Sequence, residues 1–176
     1  MHPENELNRL APRAIIAIAA RLAFRMTPLV SASDETKGII ERLFDLATGT
    51  DTIRPKLPFR REVKYPECWG RADDVLRRCE QIAKAFGENK PGHEVTDDVR
   101  LFVASLVGDA IRTAISFEKV GEGELLAKAI AHDISACEKT SGIGMEVMGR
   151  PVDPSSAGAL GPYWPAGTPE WWQPAD

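Results

Sequence analysis

The sequence lacks the local signatures that usually betray a reaction centre. Neither the Gly-x-Ser-x-Gly turn of a serine hydrolase nor P-loop spacing occurs in it. Closely spaced glycines begin at Gly121 and Gly142, but neither pair follows a strand or carries the third glycine of a dinucleotide-binding turn. Histidine is scarce, with only His2, His93 and His132. His132 and Cys137 lie about 500° apart around a helix, so they share no face on which to hold zinc. A di-metal bundle needs Glu-x-x-His on facing helices, and none is present. No cofactor and no metal are therefore expected, and no catalytic residue is assigned.

Cysteine is also sparse. Cys68, Cys79 and Cys137 make an odd set without a Cys-x-x-Cys pair, and the last two fall on apolar helix faces. Reduced, buried thiols in a cytoplasmic protein are the expected state. Long apolar runs are missing too. The first, Ala14 to Ala20, is cut by Arg21 and Arg25, far short of the ~20 residues that span a bilayer. Acidic residues stand where a leader peptide carries base, so neither a targeting segment nor a membrane partner is expected. Nor does one sign of charge prevail: 22 basic against 26 acidic side chains leave −4. That balance argues against a whole-surface role in holding nucleic acid.

What the 176 residues do contain is helical periodicity. Apolar residues recur every three to four positions in five segments, predicting an all-α, antiparallel bundle of about five helices. The segments are roughly 12–27, 34–48, 71–86, 97–117 and 123–139. In the first, Pro12 suits the opening turn, and Ile15, Ile18, Ala19, Leu22 and Met26 form one face with Arg13, Arg21 and Arg25 opposite. Ser33 and Gly49 bracket the second as N-cap and C-terminal stop. The fourth carries the widest stripe, with Val99, Phe102, Val103, Leu106, Val107, Ala110, Ile111 and Ala114, and is the expected central helix. Residues 1–140 are thus read as a helical domain and 141–176 as an irregular tail.

Two stretches escape this pattern. Residues 50–70 hold the helix breakers Pro55, Pro58 and Pro66, and the tail holds six prolines from Pro151 to Pro174. Period-two alternation at 59–65 and at 143–148 leaves room for a minor two-stranded β-ribbon laid on the bundle.

Function is sought in these irregular parts. The tail contains Tyr163, Trp164, Trp171 and Trp172, separated by prolines. Left in water they would expose large apolar faces, so the tail either caps its own bundle or anchors in a partner protein, self or heterologous. The loop from residue 54 carries Arg54, Lys56, Arg60, Arg61 and Lys64 against Glu62, with Phe59 and Tyr65 interleaved. Such a basic patch, extended by Arg13, Arg21 and Arg25, suits phosphate or nucleic acid, though no recognised nucleic-acid motif accompanies it. Pro55 to Arg60 also has the spacing of a proline-rich ligand. The leading expectation is a non-catalytic helical interaction protein (adaptor, regulatory subunit or neutralising partner) with the tail as clasp or anchor. A small nucleic-acid- or phosphate-binding regulator is the alternative. An enzyme whose site is assembled from distant residues comes third.

Overall fold

The structure, a computed structural model, describes residues 3–30, 33–49, 57, 66–87, 97–116, 123–141, 151–169 and 171–172. It is a helical bundle, and the described residues contain no strand. The elements are α1 (Pro3–Leu7), α2 (Pro12–Met26), a 3-10 turn (Thr27–Leu29), α3 (Asp34–Thr48), α4 (Pro66–Gly87), α5 (Asp97–Ile115) and α6 (Gly123–Ser141). The suggested ribbon, 59–65 with 143–148, lies outside the described residues.

The axis of the bundle is α2, not α5. Its 15 residues include only three polar ones, Arg13, Arg21 and Arg25; the rest is Ile, Leu, Phe, Met, Pro and small alanines. A helix apolar nearly all round has no face to give to water and is driven to the centre. Every residue of α2 except Arg13 is buried, and the helix touches α3, α4, α5 and α6. Arg21 and Arg25, placed by periodicity on a polar side, are instead fully buried.

Around α2 the expected stripes recur. α3 turns Ile40, Leu43, Phe44 and Ala47 inward; α4 turns in Ala72, Val75, Leu76, Cys79, Ile82 and Ala83; α6 turns in Leu126, Ala129, Ile130, Ile134 and Cys137. On α5 the stripe is narrower than its sequence suggests. Val103, Ala104, Val107, Ala110, Ile111 and Ala114 are buried, whereas Phe102 is 57% and Leu101 42% exposed. A wide apolar stripe overruns the ~100° arc that a neighbouring helix covers, and its edge remains in solvent.

α4 begins at Pro66, five residues before the onset expected from its apolar pattern. Proline breaks a helix from within but is tolerated in the first turn, where its missing N–H has no intrahelical partner. The irregular stretch is shorter accordingly.

The ends of α3 follow their sequence signals. Ser33 has extended backbone, and its Oγ accepts from the Thr36 N–H at 3.1 Å. Asp34 and Glu35 sit at the positive end of the helix dipole. Gly49 closes the helix at φ +74°, with its N–H donating to the Asp45 carbonyl at 2.8 Å. A Cβ there would also lie 2.8 Å from Arg13 Nη1. Ser33→Ala is expected to lower stability by about 1 kcal/mol in urea denaturation, and an unchanged midpoint would show that the cap contributes nothing.

Candidate functional site

Arg21 and Arg25 are four residues apart on α2, so their side chains leave the same face one turn apart. Asp133 stands opposite them on α6, fully buried within a stripe otherwise formed by Ile130, Ile134 and Cys137. Its carboxylate bridges both arginines: Arg21 Nε donates to Oδ1 at 3.0 Å and Arg25 Nη1 to Oδ2 at 2.6 Å. Two cations and one anion are thereby removed from water. Desolvation of such groups is costly and is repaid only when the remaining donors are also bonded.

The C-terminal segment supplies those remaining partners. Arg21 Nη1 donates to the carbonyls of Pro154 at 3.0 Å and Gly161 at 3.1 Å, and Nη2 to that of Pro162 at 2.8 Å. Arg25 Nε and Nη2 both donate to the Tyr163 carbonyl, at 3.1 and 2.7 Å. The guanidinium groups thus grip three consecutive carbonyls, at residues 161, 162 and 163. Leu160, just before them, has its carbonyl 3.2 Å from His132 Nε2. Burial pulls the Arg25 guanidinium below its ordinary range, the charge and hydrogen bond of Asp133 draw it back up, and the nearby Arg21 charge adds to the lowering.

The aromatic residues complete the fastening. Tyr163 stacks on Phe24 with centroids 4.4 Å apart and lies 4.6 Å from the Arg21 guanidinium carbon, within cation–π range. Arg25 lies over the Trp164 ring at 5.5 Å. Trp164 and Trp171 meet edge-on at 5.4 Å, and Trp172 packs on Trp164 and on Phe24, both at 5.6 Å. Trp164 and Trp171 are buried, while Tyr163 and Trp172 are partly buried. All four aromatic residues expected to bind a partner therefore lie against their own bundle. Val152 and Leu160 are buried with them, and the Val152 N–H donates to the Ala47 carbonyl at 2.9 Å.

The other proposed patch lies outside the described residues: Arg54, Lys56, Arg60, Arg61 and Lys64, and with them the Pro55–Arg60 pattern. Of its suggested extension, Arg21 and Arg25 are buried and do not reach the surface, whereas Arg13 is partly exposed. Among the described residues no group of histidines, cysteines and carboxylates could hold a metal ion, and no helix is long and apolar enough to cross a membrane.

Concave surface occurs between α3 and α4, where neighbouring clefts of about 210 and 370 Å³ share Glu35, Ile39 and Glu80. The charges there pair locally: Arg77 with Asp73 at 2.8 Å and Lys84 with Glu80 at 3.3 Å. Both are exposed i,i+4 pairs of the kind that line many helix surfaces.

The thiols are placed for packing rather than chemistry. Cys79 and Cys137 are buried, within 3.8 and 3.9 Å of the Ala19 and Ala14 carbonyls. Burial pushes both thiols from 9.0 up to about 12, and the Tyr163 phenol from 10.0 to about 12. Since these folded-state values exceed the unfolded ones, their contribution to stability is intact below about pH 9 and is lost as pH rises towards 12. The native chain is accordingly expected to resist alkylation at Cys79 and Cys137 near pH 8, where the denatured chain reacts readily. Peptide mass mapping checks this, and rapid native labelling at either thiol would contradict it.

The arginine–aspartate node is the feature that sequence periodicity misses. Its signals are an acid set within the apolar stripe of α6 and two arginines on a helix with almost no other polar residue. Comparison with protein-family models, with curated proteins and with solved structures found no match to this chain.

Proposed function

We infer that the protein is a non-catalytic helical interaction protein whose C-terminal segment acts as a clasp on its own bundle. One observation carries this reading: the most elaborate polar cluster described, Arg21–Asp133–Arg25, spends its donors on tail carbonyls and is sealed from solvent. A reaction centre needs polar groups that face an accessible cavity, whereas this cluster fixes shape. The rigid body so formed presents Leu101 and Phe102 outward on α5. Paired large apolar side chains of this kind suit a protein contact. Buried thiols accord with a cytoplasmic setting.

Affinity capture from the native cell tests the reading. The full-length chain is expected to retain a protein at near-equal stoichiometry. Leu101→Asp with Phe102→Asp should lose it by at least about tenfold, with unchanged circular dichroism. Failure of the wild-type chain to retain any protein at that ratio would refute the reading. The nucleic-acid alternative rests on the 54–64 loop and Arg13 once Arg21 and Arg25 are committed elsewhere. It requires salt-sensitive retardation of oligonucleotides that disappears on Arg60→Ala with Arg61→Ala.

A further inference from the structure

Glycine is an unexpected residue at position 38. It lies inside α3, where glycine destabilises a helix relative to alanine. Its φ is not in the left-handed region that favours glycine, and a Cβ built on it would meet nothing within 4 Å. Neither backbone conformation nor packing within the chain therefore calls for glycine there. What the missing side chain leaves is bare helix backbone at the wider of the two α3–α4 clefts, about 370 Å³. Glycine is the residue that lets another group approach a backbone closely.

The charges around the clefts are matched, with two exceptions. Glu80 pairs with Lys84, Asp73 with Arg77 and, on α3, Glu41 with Lys37. Glu35 and Arg42 are exposed and line the wider cleft, yet neither forms an ion pair among the described residues. They cannot bond each other, because seven residues of helix set them about 10 Å apart along the axis. Seven residues are also nearly two turns, so both side chains leave α3 within about 20° of one direction. Gly38 and Ile39 lie between them, about 60° to one side and about 40° to the other. The four positions are symmetric about the midpoint of Gly38 and Ile39, with the acid as far before it as the base is after it. A second α3 laid antiparallel on this face therefore sets its Arg42 against Glu35 and its Glu35 against Arg42. It also sets Ile39 of each copy over Gly38 of the other. A parallel pairing in register would set acid on acid and base on base.

We propose that the α3 face carrying Glu35, Gly38, Ile39 and Arg42 is a twofold self-association surface, and that its occupant is the antiparallel α3 of a second copy. A twofold interface needs a self-complementary patch, and this one is complementary in charge and in shape. Ile39, partly exposed in the single chain, gains cover from the other copy, while the charges fix the orientation. The patch is small, so the dimer is a weak and transient one. It lies apart from Leu101 and Phe102 on α5 and does not rest on that contact.

Sedimentation equilibrium of the full-length chain at low salt, across a wide range of protein concentration, tests the proposal. The wild-type chain should pass from monomer to dimer as concentration rises. Glu35→Arg alone and Arg42→Glu alone should each weaken association at least about tenfold, since like charges then face each other twice. Mixing these two variants should restore a dimer of wild-type strength, because each supplies the charge that the other lacks. The double variant Glu35→Arg, Arg42→Glu should also associate as the wild type does. Gly38→Gln should raise the urea midpoint of the monomer, as a better helix former, yet weaken association at least about tenfold by filling the space for Ile39. Circular dichroism confirms that each variant is folded. A wild-type chain that stays monomeric at every concentration, single reversals that associate normally, a mixture that does not recover, or a Gly38→Gln chain that dimerises as before would each overturn the proposal. So would a monomeric chain that captures another protein through this face, which would assign the cleft to a foreign helix.

Discussion

Asp133→Asn is expected to lower the unfolding free energy by about 3–5 kcal/mol, the range for breaking a buried ion pair by removing one partner. The amide keeps the shape and part of the hydrogen bonding but discards the one described anion that bonds both Arg21 and Arg25. Two guanidinium groups then face each other without a counter-charge in a site closed to water. Against a total stability of about 5–15 kcal/mol, such a loss moves the denaturant midpoint far towards zero. Guanidinium chloride titration followed by circular dichroism measures it, and a loss below about 1 kcal/mol would show that Asp133 is dispensable. A companion variant separates charge from fastening. Replacing a buried ionic triad wholesale with apolar residues is often neutral or stabilising. Here Arg21→Met, Arg25→Met and Asp133→Leu together should remain destabilised, because the carbonyls of Gly161, Pro162 and Tyr163 lose their donors. Each such carbonyl left dry costs about 1–3 kcal/mol. Recovery of wild-type stability in the triple variant would mean that the arginines serve Asp133 alone.

The helical framework is legible in the sequence because burial imposes a period. Ile40, Leu43, Phe44 and Ala47 on α3, and Leu126, Ala129, Ile130, Ile134 and Cys137 on α6, face inward as their spacing predicts. Ser33 and Gly49 mark the ends of α3 by chemistry that operates within a few residues. Periodicity fails where one face does not decide the outcome. In α2 it assigns the arginines to solvent, where arginine usually goes. Yet a helix with only Arg13 as a further polar residue has no solvated face for Arg21 and Arg25 to join. In α5 the stripe is wide enough for Phe102 to fall on either side of its boundary. Pro66 reads as a breaker because the sequence does not say whether a proline lies inside a helix or opens one. The candidate site is almost wholly hidden. Its ion-pair bonds cross more than a hundred positions, and a single sequence carries no record of which acid meets which base. The four tail aromatics stand out in the sequence as unusual, but their direction, onto Phe24 and the two arginines, depends on a seat that exists only after α2 and α6 have packed.

Truncation after Arg150 is expected to abolish cooperative unfolding altogether. The deletion uncovers the surfaces on which Val152, Leu160, Trp164 and Trp171 are buried, each representing about 1.5–3 kcal/mol or more of apolar burial. It also strips four carbonyl acceptors from Arg21 and Arg25 while leaving both guanidinium groups between α2 and α6. Together these losses are comparable to the whole stability of a domain, about 5–15 kcal/mol. Much of the helical content should survive, since the caps of α3 and the apolar stripes of α3 to α6 are untouched. Fixed packing should not, and the expected signs are dye binding, lost near-ultraviolet dichroism and a broad thermal transition. Trp171→Ala provides the graded version, with an expected loss of about 3–5 kcal/mol in a chain that still folds cooperatively. A truncated chain that melts sharply near the wild-type temperature would mean that the bundle is complete without its tail, and that the arginines find water or other acceptors when the clasp is gone. If the tail is instead integral, as the burial of Trp171 at 1% exposure implies, then adding the 151–172 peptide to the truncated chain should restore the sharp transition. The seat and its occupant would then be held together by hydrogen bonds and ring packing, and not by the covalent link between them.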